Sequence, residues 1–311
     1  MARAVGRARI IPVGVLTAVL LLASPDGARA QNRGVYPLGM SAINSGVTAE
    51  PGFTYSNLFL FYSRNVSKGS DGESLATGSN SVLMDMNSFV WVTRQNFLGA
   101  RYSVSATIPI ANNSLASDVG GSISGGGGLA DSYYQPVILG WRTDRVRLRA
   151  IYGFLAPTGR FEVGADDNVG SGYWTHVLAS GQTVYLSADK RTVISAFQMY
   201  EFHGTQEGTG VKPGQTINLD YSVTQLLPLR EGMTLQVGVV GYEQRQTTDK
   251  SGAGITPDQA DARYAVNALG VTGNLGLPAR GVSLGLRYYK EFSNRSTFQG
   301  HSLQITGSVA F

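Results

Sequence analysis

From residue 53 onward, apolar and polar residues alternate in runs of roughly ten to fifteen residues. In one run Ile217, Leu219, Tyr221 and Val223 oppose Thr216, Asn218, Asp220, Ser222 and Thr224. In another, Tyr102, Val104, Ala106 and Ile108 oppose Arg101, Ser103, Ser105 and Thr107. A third sets Val282, Leu284, Leu286 and Tyr288 against Ser283, Gly285, Arg287 and Tyr289. In the last run Leu303, Ile305, Val309 and Phe311 face away from Ser302, Gln304, Thr306 and Ser308. Successive side chains of a strand point to opposite faces, so each run predicts a strand with one apolar and one polar face. About twelve strands are predicted in this way, near 53–64, 82–94, 99–110, 131–142, 145–156, 173–187, 191–203, 215–226, 232–245, 262–275, 281–292 and 300–311. Segments 53–64, 82–94 and 191–203 alternate poorly, which leaves their registers open.

The connections carry a second pattern. Long ones are expected at 65–81, 111–130, 157–172, 204–214, 246–261 and 293–299, and short ones at 95–98, 143–144, 188–190, 227–231 and 277–280. Long and short connections in alternation are the signature of bacterial outer-membrane barrels, with short periplasmic turns and longer extracellular loops. No long apolar run follows residue 30, and a chain without spanning helices enters lipid only by closing a sheet on itself. The fold expected is all-β: a transmembrane antiparallel up-and-down β-barrel of about twelve strands over 53–311. A terminal strand ending in Phe311 is typical of such barrels and would be read by the barrel-assembly machinery. Residues 31–52, with Pro37, Gly39, Gly46, Pro51 and Gly52, form a short polar lead. A periplasmic tail is the favoured reading of that lead, and a lumenal plug the alternative.

Residues 1–30 read as an export signal. Arg3, Arg7 and Arg9 precede an apolar run, Ile10 to Ala23, that is too short to span a bilayer, and Ala28-Arg29-Ala30 supplies a cleavage site. Cleavage after Ala30 lowers the formal net charge from +4 to about +1. The basic balance of the whole chain therefore gives no reason to expect nucleic acid as a partner. With no Cys, the 311 residues hold neither a disulfide framework nor thiolate metal sites. Export and a barrel together predict an outer-membrane location, in contact with outer-membrane lipid and lipopolysaccharide.

Charge on the polar faces singles out candidate lumen-lining residues. Arg145, Arg147 and Arg149 share one strand face, opposite Val146, Leu148 and Ala150. Arginine facing lipid costs about 2–4 kcal/mol at the bilayer midplane, which assigns this face to the lumen. Arg101 and Arg287 join it by the same reasoning, and Asp85, Asp220, Glu243 and Glu291 are the candidate lumenal acids. Two readings remain open: a basic constriction acting on anions or polar aromatic solutes, and a salt-bridged lumen that holds a small barrel together. Phe53, Tyr55, Phe61, Tyr62, Trp91, Trp141, Tyr288 and Phe311 read as interfacial girdles, with Tyr134 or Tyr289 as alternatives for a solute path.

Catalytic chemistry is not in evidence. The three histidines, His176, His203 and His301, lack metal-ligand spacing. A barrel-wall lipase would carry His-x-Ser, which does not occur. Asp166-Asp167-Asn168 lacks calcium-loop spacing, and the glycine run 120–128 lacks the Gly-Lys-Ser/Thr of a phosphate cradle and reads as a flexible extracellular loop. No cofactor, metal or enzymatic activity is expected.

Distributed motifs give the chain a family likeness. They are Pro51-Gly52-Phe53; Pro213-Gly214 leading to Leu219-Asp220-Tyr221-Ser222; Gly241 through Asp249, then Ser251-Gly252; Ala268-Leu269-Gly270; Tyr288-Tyr289-Lys290-Glu291-Phe292; and Gly300 before the last strand. On these residues, nearly the whole mature chain resembles the bacterial outer-membrane proteins grouped as transporters of the phenol meta-cleavage degradation pathway. Thr306 stands where Gly often precedes the terminal aromatic, with Gly307 next. The resemblance implies an outer-membrane channel for passive uptake of small hydrophobic or aromatic compounds. The alternatives are a structural or adhesive barrel with a filled lumen and, less favoured, an outer-membrane enzyme. A monomer is the default expectation.

Overall fold

The computed structural model describes residues 33–117, 121–165, 167–230 and 232–311, with side chains for all of these except 113–125. The expected export signal, its cleavage site and Asp166 lie outside the described residues. The strands are β1 (Gly52–Lys68), β2 (Ser74–Phe97), β3 (Ala100–Ser117), β4 (Gly121–Leu129), β5 (Ser132–Arg142), β6 (Val146–Ala156) and β7 (Thr175–Tyr185). They continue as β8 (Thr192–His203), β9 (Thr216–Arg230), β10 (Met233–Gln246), β11 (Ala265–Leu277), β12 (Val282–Glu291) and β13 (Thr297–Ala310). All pairings are antiparallel. β1 pairs with β13, β2 with β3 and β3 with β5, so twelve strands close a barrel. The fold class expected from the pattern is the one observed.

β4 is the strand that the periodicity did not predict. It pairs only with the outer part of β3, from Ile110↔Leu129 to Ser117↔Gly121, while Arg101–Thr107 of β3 pair with β5. Most of the described residues in the expected loop 111–130, including 121–128 of the glycine run, are therefore strand. The expected loop 65–81 shrinks in the same way, because β1 runs to Lys68 and β2 begins at Ser74. A strand needs about 9–11 residues to cross a bilayer at a tilt. β1, β2 and β3, of 17, 24 and 18 residues, therefore project well beyond the band that the other strands define. A strand outside the membrane needs no apolar face, which is why alternation failed to reveal these extensions. In the long connection before β11, a single helical turn, α1 (Pro257–Asp261), is set by a capping box between Thr256 and Gln259 with Pro257 in its first turn.

Strand parity sorts the side chains. On β9, Ile217 and Val223 are exposed on the outside while Asn218, Asp220, Ser222 and Thr224 are buried inside. On β12, Leu284, Leu286 and Tyr288 face out, and Tyr289 and Glu291 are buried inside. Exposed apolar residues recur around the wall (Ile108, Leu148, Leu178, Val239, Val271 and Ile305 among them), which gives the barrel its lipid-facing band.

The inside is occupied by residues 33–50. The favoured reading of this lead as a periplasmic tail is therefore corrected. It runs down the lumen from Arg33, beside Glu291 and Thr297 near the loop end, to Glu50 beside Arg101 and Arg142 at the short-turn end. There it enters β1, whose first residues exchange backbone hydrogen bonds with Phe311. The lead has no helix over its described residues. An irregular segment is nonetheless stable inside a barrel if the wall satisfies its backbone.

Candidate functional site

Each strand of the cradle contributes the partner that the irregular segment lacks. Glu201 of β8 accepts from the backbone N–H groups of Val35 and Tyr36, both at 3.0 Å. Asp220 of β9 accepts from Gly39 N at 3.0 Å, Ser41 N at 3.1 Å and the Tyr36 hydroxyl at 2.5 Å. Donors on the wall take the carbonyls: Gln304 to Leu38, Arg287 to Met40, Ser222 to Ala42 and Arg149 to Ser45. At its outer end Arg33 pairs with Glu291 at 3.0 Å. Glu291 also accepts from the hydroxyls of Tyr62 and Tyr242, from Asn294 and from Gly300 N. A hydrogen bond to a charged group contributes about 1.5–3 kcal/mol when buried, so this ladder fixes the segment firmly.

Apolar contacts complete the seat. Tyr36 stacks on Phe197 at 5.5 Å and packs with Met199, Val177, Ile138 and Ile151. Ala42 is buried among Val240, Tyr242, Tyr264, Val266 and Tyr289. The segment approaches β6 and β7 so closely at Gly46 that a Cβ there would collide with the Arg147 carbonyl, and one on Gly181 would strike the Ser45 carbonyl. Glycine is required at both positions by space.

These contacts settle where the sequence-predicted residues lie. Arg101, Arg147, Arg149, Asp220, Arg287 and Glu291 all face inward. Five of them hold the segment by side-chain hydrogen bonds: Arg101, Arg149, Asp220, Arg287 and Glu291. Arg147 donates to the carbonyls of Thr143 and Val146 and stacks on Tyr185. Arg145 precedes β6 in a turn, exposed, so it is not part of the lumenal wall. Glu243 is corrected as well: Tyr242, Gln244 and Gln246 take the inward positions of β10, and Glu243 faces out beside Arg245. Asp85 faces out too, while Tyr62 and Tyr289 face in. Sequence reasoning missed Glu201 and Gln304, which look like ordinary polar-face residues until the occupant of the lumen is known.

The wall made by β1 and β2 is built differently. Its lumenal side carries Leu58, Leu60, Met84 and Met86, packed against Met40 of the inner segment and Tyr62. Val82 and Met84 point inward and are half-buried. The outer side carries a polar cluster. Tyr55 donates to Asn87 at 2.6 Å, and Asn57 donates to both Asp85 and Asn87. Asp85 sits between Phe59 and Ile110 in the register, both exposed, so the cluster lies within the apolar band.

At the short-turn end, a cavity of about 270 Å³ opens between Thr48, Asn96, Gly99, Arg101, Gly140, Trp141, Arg142 and Arg147. Glu50 reaches its rim and bridges Arg101 at 2.7 Å and Arg142 at 2.6 Å. Hydrogen bonds from these two guanidinium groups hold its carboxyl below the usual carboxylate range. Among the described residues, no cluster of His and carboxylates could hold a metal ion.

A closed barrel of twelve antiparallel strands, with an apolar belt and a lumen lined for an internal segment, defines an outer-membrane β-barrel. The chain belongs to the family described as "Putative MetA-pathway of phenol degradation", which matches residues 64–306. No curated protein matches it. Among solved structures it is similar to the COG4313 outer membrane channel from Pseudomonas putida F1, with a TM-score of 0.68 and 14% identity over 86% of this chain and 98% of that one. It also matches the beta domain of the Bordetella autotransporter BrkA, with a TM-score of 0.47 and 12% identity over 84% of this chain and 100% of that one. The TodX deltaS2S3 mutant monoaromatic hydrocarbon channel follows at a TM-score of 0.40 and 11% identity, over 91% of this chain and 97% of that one. The first likeness concerns the fold alone, and nothing is drawn from the other two.

Proposed function

We propose that this barrel is a non-catalytic channel for passive uptake of small hydrophobic or aromatic compounds across the outer membrane, working as a monomer. The observation that carries this reading is the apolar lumenal face of β1 and β2, where Leu58, Leu60, Met84 and Met86 stand opposite the polar cradle. Water-filled barrels have polar interiors. A strip of aliphatic and thioether side chains gives an apolar solute a surface it can wet, and Met adapts its shape to varied ligands. The family's connection to phenol degradation supports an aromatic solute. Movement would be diffusive, because nothing in the chain couples it to an energy source.

The test is toluene entry into cells or proteoliposomes carrying the protein or its Met84→Asp/Met86→Asp variant. Entry should fall several-fold in the variant, with the folded barrel retained as an SDS-resistant band. Equal entry by both forms overturns the proposal. A second reading, a structural barrel with a filled lumen, is favoured by the ladder of bonds that holds residues 33–50. Under that reading, neither form admits toluene faster than protein-free membranes do.

A further inference from the structure

Three arginines converge on the cavity at the periplasmic mouth, and their charge is not consumed there. Arg101 comes from the start of β3, Arg142 from the end of β5 and Arg147 from the start of β6, all on the lumenal side. The only carboxylate bridging to this group among the described residues is Glu50, which satisfies Arg101 and Arg142 through its two separate oxygens. Arg147 has no carboxylate within ion-pair distance among the described residues; it donates to carbonyls, weaker partners for a guanidinium. The Thr48 hydroxyl, on the cavity wall, is buried with no hydrogen-bond partner. Its oxygen is closed off against the Gly140 backbone, so the open donors of the mouth are the guanidinium groups.

We propose that this mouth is a binding site for a small carboxylate anion, with Glu50 as its in-chain competitor. The two guanidinium groups already hold one carboxylate, that of Glu50, so the recognition geometry is built. Arg147 supplies the further charged donor that Glu50 leaves unused. A cavity of about 270 Å³ suits a single-ring acid rather than a larger ligand. Glu50 closes the inner segment where it passes into β1, and its side chain is 69% exposed, so a dissolved carboxylate can replace it without unfolding the wall. This site is separate from the apolar face of β1 and β2, and it stands or falls independently of the uptake proposed above.

The test is calorimetric titration of the purified full-length protein in detergent with benzoate, and with benzyl alcohol as the neutral control of similar size. Benzoate should bind saturably and weaken with added salt, while benzyl alcohol does not bind. Glu50→Gln should bind benzoate several-fold more tightly, because the competitor has lost its charge. Arg142→Ala/Arg147→Ala should bind at least about tenfold more weakly, the effect of losing charged donors. Arg142→Lys/Arg147→Lys, which keeps the charge, provides a folded comparison and should bind with intermediate strength. Equal binding of benzoate and benzyl alcohol, or unchanged affinity in Glu50→Gln, overturns the proposal.

Discussion

The lumen has two unlike walls. From β6 to β10 and again at β12 and β13, polar groups on the inside grip residues 33–50: Glu201, Asp220, Arg149, Arg287 and Gln304 each take a backbone group of that segment. On β1 and β2 the inside is apolar and the outside carries Tyr55, Asn57, Asp85 and Asn87. The first wall replaces the hydrogen bonds that an irregular chain cannot make for itself. The second makes few polar demands on the segment and leaves inward-facing Val82 and Met84 half-exposed. One barrel thus keeps a fixed side and an uncommitted side, and the uptake proposed above would use the second.

The sharpest way to break this comparison is to weaken the fixed wall. Glu201→Ala with Asp220→Ala removes the acceptors for five donors of the inner segment. At about 1.5–3 kcal/mol for each charged hydrogen bond, the seat of the segment should weaken by several kcal/mol. The chain has no Cys, so a single cysteine at Ser41 reports the seat cleanly. Its reaction with a water-soluble maleimide should quicken by about a hundredfold or more in the double variant, with larger and longer conductance openings. Unchanged labelling would mean that the remaining bonds from Arg149, Ser222, Arg287, Gln304 and Glu291, with the apolar contacts of Tyr36 and Ala42, suffice to hold the segment.

How far the sequence revealed these walls depends on what each faces. β9 and β12 read cleanly because one side meets lipid and the other meets polar partners. β8 reads poorly because its inner face is mixed: Phe197 and Met199 point inward against Tyr36 beside Ser195 and Glu201. β1 and β2 read poorly because both faces are mixed: Leu58, Leu60, Met84 and Met86 point in, while Phe59 and Phe89 share the outer face with Asn57, Asp85 and Asn87. The rule that charge avoids lipid misplaces Asp85 and Glu243, which both face out, Glu243 beside Arg245. Arg101, Arg147, Arg149, Asp220, Arg287 and Glu291 were legible as lumenal. Their role was not, because the occupant they hold lies in residues 33–50, whose irregular backbone has no periodic signature.

The outer polar cluster offers a smaller test of this mixed wall. Asp85 lies among exposed apolar neighbours, and an acidic side chain on a lipid-facing position costs less than the 2–4 kcal/mol of a basic one, on the order of 1 kcal/mol. Asp85→Leu should therefore raise stability against urea in lipid vesicles by about 1 kcal/mol and leave labelling at Ser41→Cys unchanged. A loss of stability would show that the bond from Asn57 to Asp85 outweighs that cost and that the cluster holds β1 to β2.

The smallest effect belongs to the mouth, where the fixed side ends. Glu50 is bound by Arg101 and Arg142, and its carboxyl lies below its ordinary value of 4.5. The sign follows from linkage: a carboxyl depressed in the folded state stabilises that state fully above the ordinary value, and the contribution is lost as pH falls through the lowered one. The group is largely exposed, so its clasp is screened and modest. Brief conductance openings should therefore become more frequent as the solution on the periplasmic side is acidified below about 4.5. Glu50→Gln should show the higher frequency already at pH 7 and lose that component of the pH response. If Glu50→Gln is as quiet as the parent at pH 7, the clasp plays no part in holding the segment, and the division between the two walls ends above the mouth, at Gly46, where β6 and β7 close on the chain.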